Sequence, residues 1–240
     1  TSRGLVGSEM CIRDRFQGGQ SVEKAFWLER WQQQQIGFHQ TEINHYLIKH
    51  WQKTRQYFPD SQVFVPLCGK SSDMLWLKDQ GHAVLGIEFS ELAVNDFFTE
   101  NKLTPAALPH DRFLHFSIDD LSLMCGDFFQ LRAADLEKSH LVYDRASLVA
   151  LPAELRLHYA RHMASILPES VRILLVTMEY PQNEMDGPPF PVPEDEVYSL
   201  YQDDFSIEKL ETFDIYQENP RFQARGLSSL LEKVFLLSRG

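Results

Sequence analysis

The chain predicts an α/β fold whose mostly parallel sheet carries a nucleoside-binding crevice, and three features of residues 61–90 carry that expectation. Val63-Phe64-Val65 is a short apolar, β-prone run, Gly69 follows it in a tight turn, and a second apolar run from Ala83 to Ile87 ends on the acid Glu88. Between them, Ser71 reads as an N-cap, Met74, Leu75 and Leu77 give a helix its apolar face, and Gly81 ends it. Gly69 lets the backbone turn where a side chain would obstruct a ligand. A carboxylate about 20 residues after such a turn can accept hydrogen bonds from both hydroxyls of a ribose. The dinucleotide motif needs G-x-G-x-x-G, and this turn has a single glycine. The expected ligand therefore has a ribose but no pyrophosphate, as S-adenosylmethionine does. Read singly, Glu88 is a solvent-facing strand end and Gly69 a turn; read in order, they form a site.

The other elements follow in chain order. Thr1 to Arg15 has neither a signal-peptide core nor a helical continuation. Its run Gly4-Leu-Val-Gly-Ser-Glu-Met-Cys-Ile-Arg-Asp-Arg resembles a translated sequencing adaptor, so residues 1–15 are expected to be a non-native leader. Residues 16–240 are expected to be one domain, with 16–58 a helical lid segment and 59–240 a Rossmann-like core. Ser21 to Gln35 reads as an amphipathic helix with Val22, Phe26, Trp27 and Trp31 near one face. Gly37 interrupts it, and a second helix runs from about Thr41 to Tyr57. After Glu88 come a helix from Glu91 to Asn101 and a proline-bearing connection from Leu103 to Arg112. A β-hairpin pairs Phe113–Phe116 with Leu121–Cys125. Its second strand delivers Gly126, Asp127 and Phe128 to the crevice mouth, where an acid and an aromatic suit an adenine ring. Either that, or Asp127 is a turn acid beside a core phenylalanine.

His140 to Arg145 is a buried strand ending in Asp144 and Arg145, a pair that serves either as a structural ion pair or at the ligand-facing ends of the strands. Then follow a helix from Pro152 to Leu167, a strand from Val171 to Met178 and a proline-rich loop from Glu179 to Pro193. A helix from Glu194 to Gln202, a strand from Ile207 to Ile215 and a last strand from Lys233 to Leu237 complete the series. His158 and His162 share a helix face but lack the Glu of H-E-x-x-H, so surface histidines are expected there.

Composition bounds the chemistry. With 240 residues, 43% of them hydrophobic, the chain suffices for one sizeable core. Its 34 acidic against 23 basic side chains leave a net charge of -11, which opposes nucleic-acid phosphates and anionic membrane surfaces. No stretch reaches the roughly 18 apolar residues of a membrane span. Three cysteines make no disulfide framework and no zinc pattern, which points to a reducing cytoplasm and no metal. A small-molecule substrate and a monomer are expected.

Five blocks, Val65-Pro-Leu-Cys-Gly-Lys-Ser-Ser-Asp-Met-Leu-Trp-Leu, Gln35-Ile-Gly-Phe-His-Gln, Cys125-Gly-Asp-Phe-Phe, Tyr143-Asp-Arg-Ala-Ser-Leu and Gly187-Pro-Pro-Phe, together resemble the thiopurine S-methyltransferase family, from about Phe26 to Leu237. The resemblance implies a class I S-adenosylmethionine-dependent methyltransferase sheet of about seven strands, parallel apart from the last, with helices on both faces and an N-terminal lid. It implies S-adenosylmethionine as cofactor, held by Trp31, Leu67, Gly69, Glu88, Asp127, Phe128 and Arg145. Phe38, Arg145 and Arg221 would meet the acceptor, with Arg145 and Arg221 catalytic; Arg225 is near enough in sequence to compete with Arg221. The expected reaction is in-line methylation of an aromatic or heterocyclic thiolate, with His39 or Asp127 as base if one is needed. Selenium or tellurium species and other small nucleophiles are alternative acceptors. A nucleoside sensor without turnover is a more distant reading.

Overall fold

A period of two runs through the central strands and sorts their side chains into two layers. In the computed structural model, which describes residues 24–37 and 39–240, Val142, Ile173, Leu175, Phe235 and Leu237 face one layer. Leu141, Tyr143, Leu174, Val176 and Val234 face the other. The chain divides into two compact units, 1–37 and 38–240.

In the first unit a helix, α1, spans residues 24–32. Phe26 and Trp27 meet edge to face at 5.4 Å, and Arg30 lies over the Phe26 ring while donating to Gln35 Oε1 at 2.8 Å. The expected helix over 21–35 is thus shorter at its end, where Gln34 takes a positive φ of 56°. The expected leader 1–15, and Phe38, lie outside the described residues.

The second unit contains α2 (His45–Arg55), β1 (Val63–Val65), α3 (Asp73–Asp79), β2 (Val84–Glu88), α4 (Glu91–Glu100), β3 (Ala106–His110), β4 (Phe113–Ile118) and β5 (Leu121–Cys125). It continues with β6 (Leu141–Arg145), α5 (Ser147–Ala150), α6 (Ala153–Ile166), β7 (Val171–Glu179), α7 (Glu194–Tyr201), β8 (Ser206–Asp214), α8 (Pro220–Gln223) and β9 (Leu231–Arg239). The strands form one sheet in the order β3-β4-β5-β2-β1-β6-β7-β9-β8. From β5 to β7 the pairing is parallel, and β9 runs against both β7 and β8. The seven expected strands therefore hold, with the last one reversed. α2, α3 and α4 cover one face, where Trp51, Leu77 and Phe97 are buried; α5, α6 and α7 cover the other, with Tyr159, Met163 and Tyr201.

Two details depart from expectation. The proline-bearing connection contains strand β3, which pairs antiparallel with β4 and extends the sheet to nine strands. All five of its residues are exposed, so no apolar alternation marked it, and Pro109 is tolerated because an edge strand leaves one side unpaired. Asn44, rather than Thr41, opens α2: its side-chain oxygen accepts from the backbone N–H of Tyr46 and Leu47. Likewise Ser72 takes the N-cap place before α3, while Ser71 Oγ accepts from the Asp73 N–H at 3.3 Å.

Candidate active site

The turn after β1 is held down onto β2. Cys68 donates its backbone N–H to Ile87 O at 2.9 Å, and Leu67 and Gly69 both adopt positive φ, 43° and 52°. For Leu67 that backbone conformation costs about 1–3 kcal/mol, which the surrounding packing must offset. Gly86 makes the close approach possible: a Cβ there would stand 2.8 Å from Cys68 Sγ and 3.0 Å from Met74 Sδ. Gly86 was not singled out from sequence, although a glycine inside an apolar strand is the signal for such an approach.

The consequence is that the turn presents its amide to Glu88. Gly69 N–H donates to Glu88 Oε2 at 3.0 Å and Ser90 N–H to Oε1 at 2.8 Å, so Gly69 and Glu88 stand together. Glu88 is only 5% exposed, and burial pushes its carboxyl up to about 7 despite N–H donors from Ser90, Gly69 and Phe89. Each carboxylate oxygen has a second lone pair, which fits the pair of hydroxyls on a ribose.

At the end of β5, Gly126 N–H donates to Glu88 O at 2.9 Å. Asp127 Oδ1 accepts from Phe129 N–H at 3.0 Å and so opens a short 3-10 turn over Phe128–Gln130. The Phe128 ring is buried and stacked on Tyr159, with centroids 4.7 Å apart. One face is thereby committed to the core, whereas Phe129 stacks on the exposed His158. His162 is half-buried and bonded to Phe128 O, so only His158 is the surface residue expected.

Asp144 and Arg145 part company at the end of β6, because successive residues face opposite sides of a sheet. Asp144 turns toward α6, is 1% exposed and accepts from Tyr159 OH at 2.7 Å; burial pushes it up to about 6. Of the two readings of Asp144 and Arg145, the mutual ion pair is therefore excluded, and each has its own partner. Arg145 turns to the α2–α4 side, where its Nε lies 3.5 Å from Asp73 Oδ2. Asp73, 2% exposed, also accepts from Tyr143 OH at 3.0 Å and from Asn44 N–H at 2.8 Å. His39 is near this group: burial lowers its pKa first and the charge of Lys70 next, Glu100 raises it, and Arg145 and Asp73 also act on it. Lys70, itself buried, pairs with Glu100 at 2.6 Å. Asp73 and Tyr143 lie inside motif blocks read from sequence, yet neither was assigned a role, since their partners are 70 residues apart and only the sheet brings them together.

Trp31, Arg221 and Arg225 are carried by other segments. Trp31 is in α1, in the first unit. Arg221 is exposed on α8, a single helical turn where a loop was expected, with its guanidinium 5.0 Å from the Phe222 ring centroid. Arg225 approaches the same ring at 5.9 Å. Phe222 packs in a small cluster with Tyr180, Met185, Ile215, Leu227 and Leu230 beside the proline-rich loop. Among the described residues no group of three His, Cys, Asp or Glu side chains is placed to hold a metal ion, and no helix is long and apolar enough to cross a membrane.

Comparison with known proteins gives the family. The chain is 52% identical over 216 residues to a thiopurine S-methyltransferase of Nitrosospira multiformis, covering 90% of this chain and 98% of that one. It is 47% identical to one of Pseudomonas aeruginosa, covering 91% and 100%. Among solved structures, magnesium protoporphyrin IX methyltransferase from Synechocystis, with bound S-adenosylhomocysteine, superposes with a TM-score of 0.56 at 16% identity, over 90% of this chain and 94% of that one. A methyltransferase from Methanosarcina mazei gives a TM-score of 0.57 at 14% identity, over 82% and 99%. At these identities the likeness is one of fold. The model of the thiopurine S-methyltransferase family, by contrast, matches residues 22–240, and with it the Glu88 crevice and the Arg145 cluster fall inside one matched span: the chain belongs to that family and is an enzyme of the methyltransferase type.

Proposed function

We propose that the enzyme methylates the sulfur of aromatic or heterocyclic thiols. The observation that carries the reading is the cation Arg145 at the ligand-facing end of β6, held beside the buried Asp73 of α3, with one strand, β1, between β6 and the strand β2 that presents Glu88. The thiopurine names of its relatives support the same acceptor class. S-adenosylmethionine, when bound, supplies a methyl group activated on a sulfonium. Glu88 and Gly69 would hold its nucleoside part, and the turn at Leu67 would let the backbone approach it closely. Trp31, Asp127 and Phe128 remain candidates for the same ligand.

The protein's own contribution at the acceptor is electrostatic. A thiolate is the competent nucleophile, and aromatic thiols ionise more readily than alkyl thiols. Arg145 would favour that anion, with Arg221 and Phe38 as further candidates at the acceptor. His39, whose burial and cationic neighbours keep it neutral near pH 7, can take the thiol proton where one remains. Orientation of acceptor and donor in a water-poor site supplies most of the acceleration, up to about 7–11 kcal/mol. We also take the enzyme to act as a monomer in the cytoplasm.

The test is S-adenosylhomocysteine production by the purified protein with and without an aryl thiol. Thiol-dependent formation is expected. Cofactor binding without turnover on thiols, followed by turnover on selenide or a tellurium species, would replace sulfur by another chalcogen as acceptor.

A further inference from the structure

We infer that Asp73 is a positioning residue for Arg145, fixing the guanidinium at the acceptor end of the site. The inference rests on the reading of Arg145 as the acceptor-facing cation. Asp73 occupies the first turn of α3, where the helix N-terminus favours a carboxylate, and it is 2% exposed. A buried carboxylate persists only when its oxygens are supplied with donors or a counter-charge. Here Oδ1 takes the Asn44 N–H at 2.8 Å, and Oδ2 takes the Tyr143 hydroxyl at 3.0 Å and faces Arg145 Nε at 3.5 Å.

Three pieces of backbone therefore converge on one carboxylate: the start of α2, the start of α3 and the end of β6. Each fixes Asp73 from a different direction. Tyr143 and Arg145 are two residues apart on β6, so both side chains reach the same face of the sheet and share the same oxygen. Burial and then the Asp73 charge push the Tyr143 phenol far up, which keeps it a donor. With Asp73 facing Nε alone at 3.5 Å, the guanidinium, which carries five N–H donors, keeps donors for an acceptor while its plane is held by the carboxylate. An arginine with four free torsions would otherwise have to be ordered at each encounter with an acceptor.

The test is a double-mutant cycle of Asp73→Asn and Arg145→Lys, read with thionitrobenzoate, an aryl thiolate whose colour is lost on S-methylation. Each single variant is expected to lose roughly 10- to 100-fold in kcat, and Asp73→Asn to change S-adenosylhomocysteine affinity by less than about fivefold. The double variant is expected to fall within about threefold of the worse single one, because Asp73 acts through Arg145. Losses that multiply would overturn the inference and leave Asp73 a purely structural residue. If Asp73→Asn does not fold, Tyr143→Phe takes its place in the cycle: it withdraws a donor from the same oxygen, and multiplied losses there would overturn the inference equally. A readout independent of turnover is the Arg145 Nε–H NMR resonance, identified as the one that Arg145→Lys removes. It is expected to be dispersed and slow to exchange in the unmodified protein and to merge with solvent-exposed arginines in Asp73→Asn; an unaltered resonance would sink the inference. Should the unmodified protein consume no thiol, the proposed acceptor class fails, and the resonance alone decides Asp73.

Discussion

Glu88 sets a pH dependence for cofactor binding that can be worked out from its surroundings. Its carboxyl is pushed up to about 7 by burial, while ribose hydroxyls as donors favour the ionised form. Binding should therefore strengthen as pH rises through 7. With half ionisation near 7, the carboxylate is about nine-tenths ionised at pH 8 and about one-tenth at pH 6, so Kd weakens by up to roughly tenfold, or ~1.4 kcal/mol, over that interval. The free protein responds in the opposite sense. A folded-state pKa above the usual carboxylate value means that the folded form holds its proton longer than the unfolded one, so the Glu88 contribution to stability falls between pH 4.5 and about 7. Calorimetric titration with S-adenosylhomocysteine at pH 6, 7 and 8 measures the effect. Glu88→Gln should remove the slope and weaken binding at pH 8 by roughly ten- to hundredfold, as charge-assisted bonds worth ~1.5–3 kcal/mol are lost. It also sets an amide NH2 against one of the Gly69 and Ser90 N–H donors. A wild-type Kd that is flat from pH 6 to 8, or a slope that survives in Glu88→Gln, would refute the reasoning.

Three further outcomes are expected. Gly86→Ala places a methyl group 2.8 Å from Cys68 Sγ and should cost about 1–3 kcal/mol, visible as a Tm lower by roughly 2–10 °C; an unchanged Tm would show that the turn after β1 yields freely. Tyr159→Phe removes the hydroxyl that donates to Asp144 at 2.7 Å. Because Asp144 titrates near 6 in the folded protein, above its unfolded value, its contribution to stability falls as pH rises from about 4 to about 6; the variant should therefore lose about 1–3 kcal/mol at pH 8 and less at pH 5, by urea unfolding. Burial pushes the Cys125 thiol up to about 11 and Cys68 higher than its ordinary range, so both should alkylate slowly at pH 8 when native and quickly in denaturant, as mass mapping of the labelled peptides would show. Rapid native labelling of Cys68 would mean that the turn opens.

What could be read from the sequence depended on how local the signal was. The Val63–Glu88 unit was legible because turn, helix and strand carry their own periodicities within 26 consecutive residues. The strand β3 was not, because an edge strand with every side chain exposed has no buried face to imprint a pattern. Gly69 and Glu88 were found as neighbours on the strength of their spacing. Asp73 was overlooked for the converse reason: its significance lies in Asn44, Tyr143 and Arg145, residues that only parallel pairing of β1 with β6 and the packing of α2 bring to it. Alternation along β6 was enough to foresee that Asp144 and Arg145 would diverge, yet their adjacency in sequence suggested a pair. Arg221 shows the limit of composition, since a one-turn helix begun by Pro220 looks like any proline-bearing loop.

The reversed placement of β9 has a consequence for how the protein is made. β8 hydrogen-bonds to β9 and reaches β7 only through it, so the penultimate strand has nowhere to dock until the last one has been synthesised. During translation the parallel strands can assemble as they leave the ribosome, while β8 waits with both edges open. Arrival of β9 therefore completes the sheet in one step, joining β7 and β8 together: a nascent protein halted before Leu231 exposes the free edges of β7 and β8 to pairing with other chains.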